Sequence, residues 1–161
     1  MIAFVDSAKS NVDSGRSQGG FFCCFPGSGA LCWSSSAPSL TADSSSAPEL
    51  HQATRCAKAV TGLRIFLREL RTCPTKPTAT YTDAQVVIDA TKSGKVSKES
   101  KWVCTRLAMT RYYETCGAGK FVKIEGELNP ADMLTKPLLE GAFKQHRAVV
   151  LGHEPLLLKE E

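Results

Sequence analysis

Apolar residues step through the middle of the chain at Leu50, Ala53, Ala57, Val60, Leu63, Leu67 and Leu70. Spacings of three and four mark one face of a helix about six turns long that opens near Glu49. The segment before it, SSSAPSLTADSSSAP, has the composition of a linker, but Pro48 sits where a helix start would place it. Nearer the N-terminus, MIAFVD is a short apolar run ending in Asp6, and GGFFCCF and GALCW are separated by PGSG. These predict one strand followed by a hairpin. After the long helix, TCPTKPT breaks the pattern. ATYTD then reads as a strand ending at Asp83, AQVVIDATKSG as a short helix, KESKWVCTRLAMTRYYETCG as a second long helix, and KFVKIEG as an alternating strand. NPADMLTKPL is expected to open a last helix, carried on by EGAFKQHRAVVLG.

The order is βββαβαβα with one helix inserted before the last strand. It predicts an α/β fold: a mixed five-stranded sheet, three strands antiparallel and two parallel, flanked by helices. In such sheets strand ends and the adjoining helix starts form the sites. Four acids stand there: Asp6, Glu49, Asp83 and Asp132. Taken alone, Asp132 in a first helical turn needs no explanation beyond the helix dipole. Four carboxylates converging on one cleft would repel one another unless a cation joined them. Hard oxygen donors call for Mg²⁺ or Mn²⁺, and two such ions about 3.5–4 Å apart would clamp a phosphodiester.

Composition adds little against this. With 161 residues, 42% hydrophobic and 22% charged, the chain suits one domain with its own core. The seven cysteines, Cys23, Cys24, Cys32, Cys56, Cys73, Cys104 and Cys116, include no CxxC pair, and His51, His146 and His153 show no metal-ligand spacing. Cys23 and Cys24 inside FFCCF read as small buried hydrophobes. No apolar run reaches membrane-spanning length, and MIAFVDSAKS is no targeting sequence, so the expected setting is intracellular, cytoplasmic or nuclear, with reduced thiols. The net charge of +4 matters because it is concentrated. Lys92, Lys95, Lys98, Lys101, Arg106 and Arg111 face only Glu99 between positions 92 and 111, a local balance of +5. A solvated helix face would explain such a run; beside an acidic cluster, phosphate contact explains it better. Trp102 within the run suits stacking on a nucleotide or anchoring a helix equally well, and Glu127 is a further candidate for moving a proton.

Five stretches, FVDSAKS, GGFFCCFPGSGALCWSSS, SSSAPELHQATRCAKAV, YTDAQVVIDATKSG and NPADMLTKPL, resemble in order the ribonuclease H domain at the C-terminal end of the Pol polyprotein of Ty1/copia-type retrotransposons. ADMLTKPL is the most specific of the matching motifs. The resemblance spans about Ile2 to Gly152, implying a ribonuclease H-like domain over 1–152 and a C-terminal tail, 153–161, with little order. It implies that Asp6, Glu49, Asp83 and Asp132 are catalytic and hold two Mg²⁺ ions, with Mn²⁺ as a substitute. It also implies a metal-dependent endonuclease that cleaves the RNA strand of RNA–DNA hybrids in reverse transcription and works beside the reverse transcriptase region of its polyprotein. Lys92, Lys95, Lys98, Lys101 and Arg106 would contact the hybrid, with no role at a membrane. The chain departs from the family in SKESKWVCTR, where Trp102 and Cys104 replace the usual His and Asp, and in APEL, which keeps one of two acids. A second functional class is therefore a decayed, non-catalytic nucleic-acid-binding module. An integrase or transposase core would share the fold, but ADMLTKPL argues against it.

Overall fold

A computed structural model describes residues 1–8, 17–37, 46–92 and 101–154. The elements are β1 (Ile2–Ala8), β2 (Gln18–Cys24), β3 (Ala30–Ser36), α1 (Ser46–Glu69), β4 (Thr78–Thr82), α2 (Gln85–Lys92), α3 (Lys101–Thr115), β5 (Gly119–Lys123), two 3₁₀ turns (Gly126–Leu128 and Pro130–Leu134), and α4 (Glu140–Val150). The strands form a single sheet in the order β3-β2-β1-β4-β5. β2 pairs antiparallel with β1 and β3, while β4 pairs parallel with β1 and β5, giving the mixed five-stranded sheet expected from the element order. This is a ribonuclease H-like architecture.

Strand β1 lies at the centre, so both of its faces are buried and its first four residues, Ile2 to Val5, run apolar before Asp6. Its alternate residues divide between two cores. Ala3 and Val5 join Phe21, Cys23, Leu50, Ala53, Cys56 and Val60 beneath the helices, whereas Phe4 joins Phe22, Cys24, Ile124 and Ala131 on the opposite face. There Phe4 stacks between Phe22 and Tyr81, with ring centroids 5.0 and 5.1 Å away. Strand β4 carries Thr78, Thr80 and Thr82, all buried, and the hydroxyls are satisfied locally. Thr78 accepts from Arg64, Thr80 pairs with the Tyr113 hydroxyl at 2.7 Å, and Thr82 accepts from the Ala84 amide. Cys23 and Cys24 are buried core residues, as FFCCF suggested, and Cys56 joins them in the core.

Three expectations need correction. Asp6 does not end its strand, since β1 continues to Ala8 with Ser7 and Ala8 still paired to β2. Leu70 does not extend the apolar face of α1: the helix stops at Glu69, the chain turns through Arg71 at φ 57°, and Leu70 is 54% exposed. NPADMLTKPL does not form an α-helix. It makes the short 3₁₀ turn Pro130–Leu134, and α4 begins only at Glu140. Pro137 explains the break, because it has no N–H to donate and disfavours helical backbone at Lys136. Residues 93–100, which hold the end of the predicted short helix and the first three residues of the predicted second long helix, and 155–161, most of the predicted tail, lie outside the described residues.

Gly20, paired with Asp6, lets the second 3₁₀ turn approach β2. A Cβ at Gly20 would lie 2.5 Å from the Leu134 Cβ and 3.0 Å from the Thr135 Cγ2. Gly20→Ala should therefore destabilise the protein by about 1–3 kcal/mol through overpacking. Urea denaturation would measure the loss, and an unchanged midpoint would show that the turn can move away at no cost.

Candidate metal centre

The sheet and the turn after β5 bring three of the predicted acids together. Asp6, on the face of β1 that carries Phe4, is 3% exposed, and Asp83 follows the last residue of the neighbouring parallel strand β4. Asp132 arrives from the 3₁₀ turn and is 6% exposed. Asn129 anchors that turn. Its amide donates to the Val5 carbonyl at 3.1 Å and its side-chain oxygen accepts from the Ala131 amide, so one fully buried side chain both caps the turn and ties it to β1. One carboxylate oxygen from each of Asp6, Asp83 and Asp132 lies within 4.8 Å of the other two.

Glu49 stands in the first turn of α1, partly buried and outside this closest group. It nevertheless feels all three acids. Burial pushes its carboxyl up to about 8, and the charges of Asp6, Asp83 and Asp132 add to the shift while Lys136 opposes it. Burial also raises Asp6; the Thr135 hydroxyl, which donates to Asp6 Oδ2, pulls against this, and the charge of Asp132 raises it further. Lys136 Nζ sits 2.7 Å from Asp132 Oδ2. Although burial works against the ammonium, the bond to Asp132 and the charges of Asp132, Asp6 and Asp83 raise its pKa. A cation is thus already drawn to the edge of the cluster.

The donor set fits a hard divalent ion. Among the described residues, Asp83 Oδ1 and Asp132 Oδ1 are buried without hydrogen-bond partners, a costly arrangement for carboxylate oxygens that a cation would relieve. The loop after β5 also comes close. The position of a Cβ on Gly126 is 3.2 Å from Asp83 Oδ2, so a bare backbone borders that oxygen. Glu127, considered above for proton transfer, is exposed in the first 3₁₀ turn.

The basic run is only partly described. Lys92 is exposed at the end of α2; Lys95 and Lys98 lie outside the described residues, as does the side chain of Lys101, which heads α3. Trp102 shares that position outside the described side chains. Arg106 turns toward α1, and its Nε donates to His51 Nδ1 at 3.1 Å. Arg111 Nε donates to the Ala90 carbonyl at 2.9 Å, linking α3 to α2. Sequence reasoning did not single out Asn129, Thr135 or Lys136. The spacing of Asp132 and Lys136, one helical turn, was the available signal for the lysine.

No protein-family profile matches the chain. Over 143 residues it is 31% identical to the retrovirus-related Pol polyprotein from transposon TNT 1-94 of Nicotiana tabacum, a match covering 89% of this chain and 11% of the relative. The chain therefore spans about a tenth of that polyprotein's length. Among solved structures, LC11-RNase H1 in complex with RNA/DNA hybrid superposes with a TM-score of 0.62 at 16% identity, covering 83% of this chain and 92% of that one. RNase H1 from the archaeon Halobacterium salinarum NRC-1 gives 0.61 at 12% identity with the same coverage. At these identities the likeness establishes the fold. The chain thus has the ribonuclease H-like fold and, over most of its length, is similar in sequence to one segment of a retrotransposon Pol polyprotein.

Proposed function

We propose that this domain is a metal-dependent endonuclease of the ribonuclease H type, cleaving the RNA strand of RNA–DNA hybrids during reverse transcription of a Ty1/copia-type retrotransposon. The observation that carries the reading is the cluster itself: three acids with oxygens within 4.8 Å of one another, two of them with a buried, unpartnered oxygen. Asp6, Asp83 and Asp132, with Glu49 beside them, would hold two Mg²⁺ ions, or Mn²⁺ in their place. Bound there, such ions would make a nucleophile of water at neutral pH and stabilise the leaving oxygen of the phosphodiester.

The chain's own groups prepare the centre. Thr135 fixes the orientation of the Asp6 carboxylate, and Asn129 holds the turn that presents Asp132. Lys136 offsets part of the negative charge, and Glu49 keeps its proton near neutral pH until positive charge arrives. Lys92, Lys95, Lys98, Lys101 and Arg106 would position the hybrid through its phosphates, which carry no sequence information. The reverse transcriptase region of a Pol polyprotein is the natural partner.

The test is a cleavage assay with a hybrid labelled on its RNA strand. Mg²⁺ or Mn²⁺ should yield RNA fragments with 3′-hydroxyl and 5′-phosphate ends, and chelation should stop the reaction. A chain that binds hybrid but leaves it intact with either metal would instead be a decayed binding module, the reading to which Trp102 and Cys104 point.

A further inference from the structure

Away from the acids, α1 and α3 bound a cleft of about 530 Å³ lined by His51, Thr54, Arg55, Lys58, Thr105, Arg106 and Met109. None of these side chains is acidic, and the two arginines are held in place. Arg55 donates to the hydroxyls of Ser36 and Ser34 on β3, the latter at 3.2 Å, and Arg106 donates to His51 Nδ1. Because His51 Nδ1 accepts from Arg106, the ring presents Nε2 as its donor, like its cationic neighbours.

His51, Arg55 and Lys58 follow at intervals of four and three on one face of α1, rising roughly 6 and 10 Å along its axis from the first to the third. That is the scale of successive phosphates in a strand. The helix is also the one that carries Glu49, two residues before His51. Past Lys58 and Met109 a second hollow, of about 270 Å³, continues the groove to Ile65 and Tyr112. Ile65 is 55% and Tyr112 61% exposed, an apolar and aromatic end suited to an unstacked base.

We propose that the groove between α1 and α3 is a second nucleic-acid site, which takes a single strand running on from the hybrid at the acidic centre, with phosphates on Arg55, Lys58 and His51 and a base against Tyr112. The inference rests on the ribonuclease H reading for its substrate. A strand already drawn to the centre needs no separate recruitment, which favours it over an acidic peptide.

Lys58 is exposed, so Lys58→Ala and Lys58→Glu should fold. With the full chain in a chelator, fluorescence anisotropy over a salt series would compare a blunt hybrid with one bearing a single-stranded overhang. The overhang should tighten binding to the wild type. Lys58→Ala should remove most of that gain and reduce the slope of log K against log salt by about 0.7, and Lys58→Glu should reverse the gain. Equal affinities for the two hybrids, or a slope untouched in both variants, would overturn the proposal. So would Lys58-dependent binding of poly-glutamate without any effect of the overhang, which would make the groove a protein-docking face. Failure of the ribonuclease H reading shows separately, as absence of metal-dependent cleavage by the wild-type chain.

Discussion

Asp83→Asn should abolish hybrid cleavage and at the same time make the metal-free protein more stable. The two effects have one cause. Asp83 contributes an oxygen to a group whose members lie within 4.8 Å, and its Oδ1 is buried with no hydrogen-bond partner among the described residues. Without a cation, its negative charge adds to the repulsion felt by Glu49. Asparagine keeps the shape, removes the charge and supplies an N–H that a neighbouring carboxylate can accept. The backbone carbonyl at this position, which accepts from Lys123, is unaffected. Metal affinity depends on the same charge. Losing an anionic ligand removes several kcal/mol of transition-state stabilisation, about three orders of magnitude or more in rate. Thermal unfolding with and without Mg²⁺ reads both sides: the variant should melt higher than wild type in chelator, and Mg²⁺ should no longer raise its Tm. A lower Tm in chelator would mean that Asp83 holds the fold together, and retained cleavage would remove it from the centre.

The long helix, the central strands and the acids beside them were legible because they follow from local periodicity and from the placement of strand ends. Leu50, Ala53, Ala57 and Val60 recur at helical spacing and do face the core. Where sequence reasoning failed, a local signal was outvoted. ADMLT has a helical look, but Pro137 stops the helix and the Asn129 bond to Val5 holds the segment as a 3₁₀ turn. That bond joins positions 124 residues apart, and the one from Thr135 to Asp6 joins positions 129 apart, so periodicity could reveal neither. Arg106 was legible as a cation in a basic run. Its turn toward His51 depends on how α1 and α3 pack against each other, which the charge pattern does not encode.

The metal-free protein should lose stability as pH rises toward 8, and Glu49→Gln should abolish most of that loss. In the folded chain the Glu49 carboxyl is pushed up to about 8, against its ordinary 4.5. Between those values the native state keeps a proton that the unfolded chain has released. Stability falls with rising pH wherever the native state binds more protons, by about 1.4 kcal/mol per unit for one group, so the total from Glu49 is on the order of a few kcal/mol. Asp6, also raised, acts in the same direction. His51 and His146 oppose them, because burial lowers both below 6.5 and stability from these groups rises with pH through that value. The amino terminus, lowered from 8.0, opposes them near that pH. The difference between wild type and Glu49→Gln cancels these terms, since the histidines and the terminus are common to both chains. Denaturant midpoints in chelator from pH 5 to 8.5 should therefore diverge, with Glu49→Gln progressively the more stable. With saturating Mg²⁺ the order should reverse at the alkaline end, because the cation favours the ionised carboxyl that glutamine lacks. Parallel profiles in chelator would show that Glu49 releases its proton as readily in the folded chain as in the unfolded one, and would place it apart from the acidic cluster.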